Sequence, residues 1–320
     1  MILITGATGF VGKNLVLEIS KKKRVRILVR RTSDITPFEG REEIDIAYGD
    51  LDKNEGIIDA LANVEIVIHC AVRTIGRNFI EYYKMNTLGT AHLVRAMIQR
   101  GIKNIVFLSS HAACGPCREK KSLTEADQTR PISFYGITKK LAEDIIINSG
   151  LLYTILRPVS VYGPYDTEIL KYIKLLNRGI CPIIGNGEKY INLIYVTDLV
   201  QLIINIVNAH NFSNKIFFVS DGNCYSYTEV LELIADTLHK KNVRVYVPEK
   251  IALFIGLLND IFLPEKKRLI WRDKVKELAQ NYWLCCSDRA VIEFSFTPRY
   301  SLKEGMKETI DWYKQQRIIL

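Results

Sequence analysis

Apolar residues in this chain come in short, strand-length runs separated by stretches of helical period. Residues 1–5, Met-Ile-Leu-Ile-Thr, form one such run that ends at glycines. A helical stretch over 13–20 and a second apolar run over 25–29 follow, which reads as a βαβ opening. Similar runs recur at 64–68, 105–108, 153–156 and 215–219, with helical patterns between several of them. Strands that alternate with helices predict an α/β fold: a doubly wound parallel sheet whose ligands bind at the carboxyl ends of the strands.

After about residue 165 the rhythm loosens into a helix over 168–178 and a glycine-rich turn at 185–187, then returns to the sheet near 216. The capping-box patterns Ser226-x-x-Glu229 and Ser301-x-x-Glu304 predict two late helices, so ordered structure is expected nearly to the end. The pattern divides the chain into a sheet domain over 1–165 and a smaller, interleaved region over 166–320. Segments near 191–220 of that second region are expected to rejoin the first. The most apolar late stretch, 251–263, is too short to span a bilayer and carries Asn259 and Asp260. It reads as a buried helix, with peripheral contact to a membrane surface as the other reading.

A chain of 320 residues with 48% hydrophobic content can fill a sizeable core. The formal charge of +9 is scattered, and its one dense run, Lys21-Lys22-Lys23-Arg24, falls between two predicted elements. No aromatic-rich basic motif accompanies it, so no nucleic-acid partner is expected. Seven cysteines without regular spacing do not make a secreted disulfide framework, and the chain opens on a strand instead of a signal peptide, which points to the cytoplasm. Cys285-Cys286 and the dispersed His69, His92, His111, His210 and His239 lack metal-ligand spacing, and no metal is expected. Cys114-Gly-Pro-Cys117 has a redox spacing, yet it falls within a loop instead of opening a helix.

Two motifs carry chemistry. In Thr5-Gly6-Ala-Thr8-Gly9-Phe10-Val11-Gly12, glycines between a strand and a helix let backbone approach a pyrophosphate, and the helix directs free N–H groups at it. Tyr135 and Lys139 are i and i+4 on one predicted helix and project from the same face. A lysine ammonium there stabilises tyrosinate and pulls the phenol down from about 10 toward the range of a working acid/base.

The glycine spacing resembles the extended short-chain dehydrogenase/reductase family, also called the NAD(P)-dependent epimerase/dehydratase family. The resemblance covers nearly the whole chain. It continues at Gly49-Asp50-Leu51, His69-Cys-Ala71, Asn86-x-x-Gly89-Thr90, Arg157-Pro158, Val161-Tyr-Gly-Pro164 and Tyr195-Val-Thr-Asp198. It implies a Rossmann-type nucleotide domain over 1–165 and a mainly substrate-binding remainder. It implies cofactor contacts from Gly6, Thr8, Gly9, Phe10, Val11, Gly12, Asp50, Leu51, Ala71, Asn86, Tyr135, Lys139, Pro158 and Val161. By the same resemblance Tyr135 exchanges the proton on the substrate oxygen and Lys139 also holds the cofactor ribose. A serine after the strand 105–108 completes the site: aligning the loop that ends at Gly115 gives Ser110 the catalytic position and leaves Ser109 as support. Where NAD-preferring relatives carry an acid after the second strand, this chain has Arg30-Arg31, and a cation suits a 2′-phosphate. NADP is therefore the expected cofactor, with NAD as the other choice.

Family dehydratases follow the catalytic hydroxyl with an acidic pair, whereas this chain has His111 and Ala112. Of the histidines, His111 is the one positioned to face substrate. Epimerases of nucleotide sugars commonly carry an arginine where this chain has Ile191 and Asn192, leaving Lys189 or Arg178 as nearby substitutes. Val29-Arg30-Arg31-Thr-Ser, Asn192-Leu-Ile-Tyr-Val-Thr-Asp198 and the apolar 251–263 look more like the 3β-hydroxysteroid dehydrogenase and dihydroflavonol reductase branches. The expected function is hydride transfer between a nicotinamide cofactor and a small-molecule secondary alcohol or ketone. Two alternatives remain: an epimerase of UDP-sugars, and a non-catalytic NAD(P)-binding redox sensor, a kind that typically loses the tyrosine or lysine kept here. Helices over 87–99 and 134–148 present apolar faces that in family members pair across a two-fold axis, so a homodimer is expected.

Overall fold

The computed structural model describes residues 1–185 and 188–319. Its centre is a seven-stranded sheet of β1 (Ile2–Thr5), β2 (Val25–Val29), β3 (Ile44–Tyr48), β4 (Ile66–His69), β5 (Asn104–Leu108), β6 (Leu152–Pro158) and β7 (Lys215–Val219). The strand order is β7-β6-β5-β4-β1-β2-β3 and every pairing is parallel. The sheet is Rossmann-like. Its order reverses between β1 and β4, and the crevice at that reversal is where a doubly wound sheet binds ligands.

Helices cover both faces, which is why β1 and β4 are buried at every position and read as unbroken apolar runs. On one face α1 (Phe10–Ile19) contributes Leu15, Val16 and Ile19 to a core shared with Leu199, Ile203 and Ile206 of a later helix, Val196–Asn208. On the other, α2 (Gly89–Gln99) and α3 (Phe134–Ile147) bury Leu93, Met97, Ala142 and Ile146. Edge strand β3 gives no unbroken apolar run, since it carries Asp45, which pairs at 2.7 Å with Arg26 of β2.

The helix expected over 87–99 starts earlier, as a π-helical segment Tyr83–Leu88 that runs into α2. The helix expected over 168–178 is Thr167–Asn177. Of the glycine-rich turn, Gly185 lies at the end of strand Ile180–Ile184, while Asn186 and Gly187 lie outside the described residues. Both capping boxes form, with Ser226–Glu229 and Ser301–Glu304 bonded reciprocally. The apolar 251–263 stretch falls on α4 (Glu249–Phe262), which is followed by α5 (Arg272–Leu278). It is not buried: most of its large side chains face outward.

Candidate active site

The glycine loop stands at the reversal of strand order. Gly6 follows β1 with φ +72°, and a Cβ there would sit 2.5 Å from the Ala71 nitrogen that follows β4. A Cβ on Gly12 would sit 2.1 Å from the Gly6 carbonyl oxygen. Only glycine allows the turn and the close approach of helix to loop. Gly9 caps α1 without any side-chain bond, so the first-turn N–H groups of Phe10 and Val11 point into the loop with no side-chain acceptor from the cap. Thr8, Phe10 and Val11 are half-buried around them. Beneath the loop, His69 joins three elements, with Nδ1 2.6 Å from Thr5 Oγ1 and Nε2 2.9 Å from Thr90 Oγ1. Burial holds its pKa down to about 3, so it is a neutral strut.

The other residues expected at the cofactor line the same carboxyl edge of the sheet. Arg30 is exposed just past β2, and its guanidinium makes no hydrogen bond or ion pair with the described residues. Arg31 lies over the Tyr48 ring at 5.2 Å. Asp50 follows β3 in a small hairpin closed against Glu55, and Leu51 is buried behind it. Ala71 is buried past β4, Pro158 ends β6 and Val161 is half-buried beyond it. Buried Asn86 accepts from Arg73 N–H at 2.7 Å and donates to Arg73 O at 3.1 Å and Thr138 Oγ1 at 3.0 Å. It ties the loop after β4 to α3.

Ser110, Tyr135 and Lys139 come together where β5 ends against α3. Tyr135 is half-buried beside Ser110; burial pushes its phenol up to about 12, and the neighbouring serine hydroxyl opposes that rise. Lys139 Nζ donates to Leu108 O at 2.7 Å and lies 3.9 Å over the Phe107 ring. Its burial lowers the ammonium to about 7, with Glu143 pulling the other way. Ser109 turns away, donating to Glu143 Oε1 at 2.5 Å. Glu143 also takes both arms of Arg157, at 2.9 and 2.7 Å, so a fully buried Ser109–Glu143–Arg157 group underlies the serine loop.

Two acids that no sequence motif marked hold the start of α3. Asp273 on α5 accepts from Phe134 N–H at 2.8 Å and Tyr135 N–H at 3.1 Å. Ser133 caps α3 by accepting from Gly136 N–H at 3.0 Å while donating to Glu277 Oε1 at 2.6 Å. The local signal was a serine cap; its acidic partners lie 139 and 144 residues away.

Other expected contributors are engaged elsewhere. The His111 ring is buried between Phe218 and Trp283, at 5.2 and 5.3 Å, with its Nε2 unpartnered among the described residues. Lys189 donates to the Leu278 carbonyl. Asn192 donates to Asn223 O at 2.6 Å and accepts from Cys285 N–H at 2.7 Å. Ile191 lies in a short strand and Arg178 is exposed at a helix end. Cys114 and Cys117 are free and buried, and burial raises both thiols, Cys114 to about 11, which disfavours the reactive thiolate.

The sequence model of the NAD dependent epimerase/dehydratase family matches residues 2–219. The chain is 34% identical over 338 residues to the sterol demethylase protein B of Methylococcus capsulatus, covering 99% of both proteins. It is 30% identical over 264 residues to a UDP-glucose 4-epimerase of Vibrio cholerae, covering 77% of this chain and 78% of the relative. In fold it resembles a UDP-glucuronic acid 4-epimerase from Bacillus cereus in complex with NAD. That likeness has a TM-score of 0.78 at 19% identity and covers 98% of this chain and 99% of the other.

Proposed function

We propose that this chain, which belongs to the NAD dependent epimerase/dehydratase family, moves a hydride between a nicotinamide cofactor and a secondary alcohol or ketone. It is an enzyme of the short-chain dehydrogenase type. The glycine cradle that any Cβ would fill, with first-turn N–H groups of α1 that have no side-chain cap from Gly9, fits a dinucleotide pyrophosphate. A bound nicotinamide supplies the site that gives or takes hydride.

The chain's own residues handle the proton. The observation that carries the proposal is that Ser110 and Tyr135 meet where β5 ends against α3, with Lys139 buried one turn along the same helix. Ser110 and Tyr135 converge on one substrate oxygen. Tyr135 takes or returns the proton there; Ser110 and the Lys274 charge favour the tyrosinate against the desolvation that otherwise raises its pKa, while Lys139, directed at the Leu108 carbonyl, is left to hold the cofactor ribose. Arg30, exposed past β2 and unpaired among the described residues, is the residue for a 2′-phosphate, which makes NADP the first choice and NAD the second.

The Vibrio cholerae relative favours a second reading, epimerisation of a UDP-sugar, in which hydride returns to the same molecule. Against it, Ile191 replaces a diphosphate-binding cation, and Lys189 and Asn192 are already bonded within the protein. The relative named for sterol demethylation makes a sterol-like alcohol the first substrate to test. The deciding experiment incubates the purified protein with NADP or NAD and sterol-like, flavonoid-like, short-chain and UDP-sugar substrates, following absorbance of the reduced nicotinamide. Net cofactor turnover supports the dehydrogenase; UDP-sugar conversion without net turnover replaces it with the epimerase.

For assembly, we propose a homodimer through Ile98 of α2 and Leu141 and Ile147 of α3, which are exposed on neighbouring helices. Light scattering at micromolar concentration tests this, and a monomer alone overturns it.

A further inference from the structure

Helix α4 is amphipathic in the opposite sense from a surface helix in water. Its buried face is Ala252, Gly256 and Asp260, at i, i+4 and i+8. Its outer face carries Phe254 60% exposed, Ile261 59%, Phe262 74% and Ile251 51%, with Leu258 between them and Leu269 just beyond the helix. A helix packed for water turns such residues inward.

The orientation is fixed. Asp260 is paired with the fully buried Arg268 at 3.2 Å and accepts from Arg272 N–H at 3.2 Å. A Cβ on Gly256 would stand 2.9 Å from the Arg272 nitrogen, so α4 lies close on the start of α5 through its small residues. Rotating the apolar stripe inward would break the pair and force large side chains into that contact.

The rim is mainly basic. Lys250 is exposed at the start of α4, and Lys267 and Arg272 are exposed after it. Of the acids, Glu249 sits beside the helix start and Glu265 is taken up by Arg73. The whole chain carries a formal +9. No helix among the described residues is long and apolar enough to cross a membrane, so α4 has the chemistry of a helix that lies on one.

We propose that α4 docks on a bilayer surface containing anionic phospholipid, with Phe254, Leu258, Ile261 and Phe262 among the acyl chains and Lys250, Lys267 and Arg272 at the headgroups. Docking places α5, which holds the N-terminus of catalytic-site helix α3, directly behind the membrane-facing helix. The docking does not depend on hydride transfer, and its test uses no turnover.

The test is co-sedimentation of the full chain with phosphatidylcholine–phosphatidylglycerol vesicles and with phosphatidylcholine vesicles. The same assay is run on a Phe254→Glu/Ile261→Glu/Phe262→Glu variant and on a Lys250→Glu/Lys267→Glu variant, with thermal melting as the fold control. The wild type is expected to pellet with anionic vesicles and less with neutral ones, and both variants to lose about tenfold or more of that binding while melting normally. A wild type that stays in the supernatant with both vesicles overturns the proposal. So does a glutamate variant that binds vesicles undiminished, or one that turns a dimer into monomers in light scattering, which would assign the face to a second copy.

Discussion

Asp273 accepts the backbone N–H of Tyr135 at 3.1 Å, so an acid on α5 fixes the first turn of the helix that carries the proposed proton-exchanging phenol. The same carboxylate takes the Phe134 N–H at 2.8 Å. Asp273→Ala leaves both donors without that partner. It is expected to lower stability by about 1–2 kcal/mol and turnover by about tenfold or more, since α3 then starts less firmly. Urea unfolding together with steady-state kinetics checks this; unchanged kcat would remove Asp273 from the positioning role.

Glu143 is the anion for Arg157 and the acceptor for Ser109, with all three buried. Glu143→Ala should cost about 3–5 kcal/mol, because it strands a guanidinium in the core. Denaturant titration reads the cost directly. A loss under about 1 kcal/mol would mean that water reaches the site and replaces the carboxylate.

Acid sensitivity follows from the buried imidazoles. His69 and His111 are both lowered to about 3 by burial, whereas in the unfolded chain they protonate near 6.5. The unfolded state therefore binds protons that the native state refuses. Stability from this source is complete above about pH 6.5 and is lost as pH falls toward 3. His111→Phe removes one such group together with its unpartnered Nε2. Between pH 7 and 5 the variant should lose about 2 kcal/mol less than the wild type. Equal losses would show that His111 is protonated in the native protein.

What the sequence made legible was local. The Gly6–Gly12 loop, the Tyr135–Lys139 pair and the strand Lys215–Val219 each carry their evidence within a few residues, through turn geometry, helical spacing or β-branched runs. Asp273 and Glu277 carried no such signal, since an acid on one helix becomes a cap for another only after the chain folds back. Edge strand β3 alternates too weakly to stand out. The outward face of α4 was only the second reading of its run: an apolar run reads as core wherever water is the assumed surroundings, and the inward Ala252, Gly256 and Asp260 show that the usual rule is reversed. His111 looked available beside Ser110, but Phe218 and Trp283 enclose it.

The central claim is net hydride transfer with Tyr135 exchanging the proton. Its most direct test is reduced-nicotinamide absorbance on the best alcohol or ketone substrate, with wild type and Tyr135→Phe compared at matched cofactor saturation. The account predicts net cofactor turnover by the wild type and a loss of about 10²–10⁴-fold in the variant. Turnover by Tyr135→Phe at the wild-type rate, or conversion of a UDP-sugar with no net change in the cofactor, would contradict it.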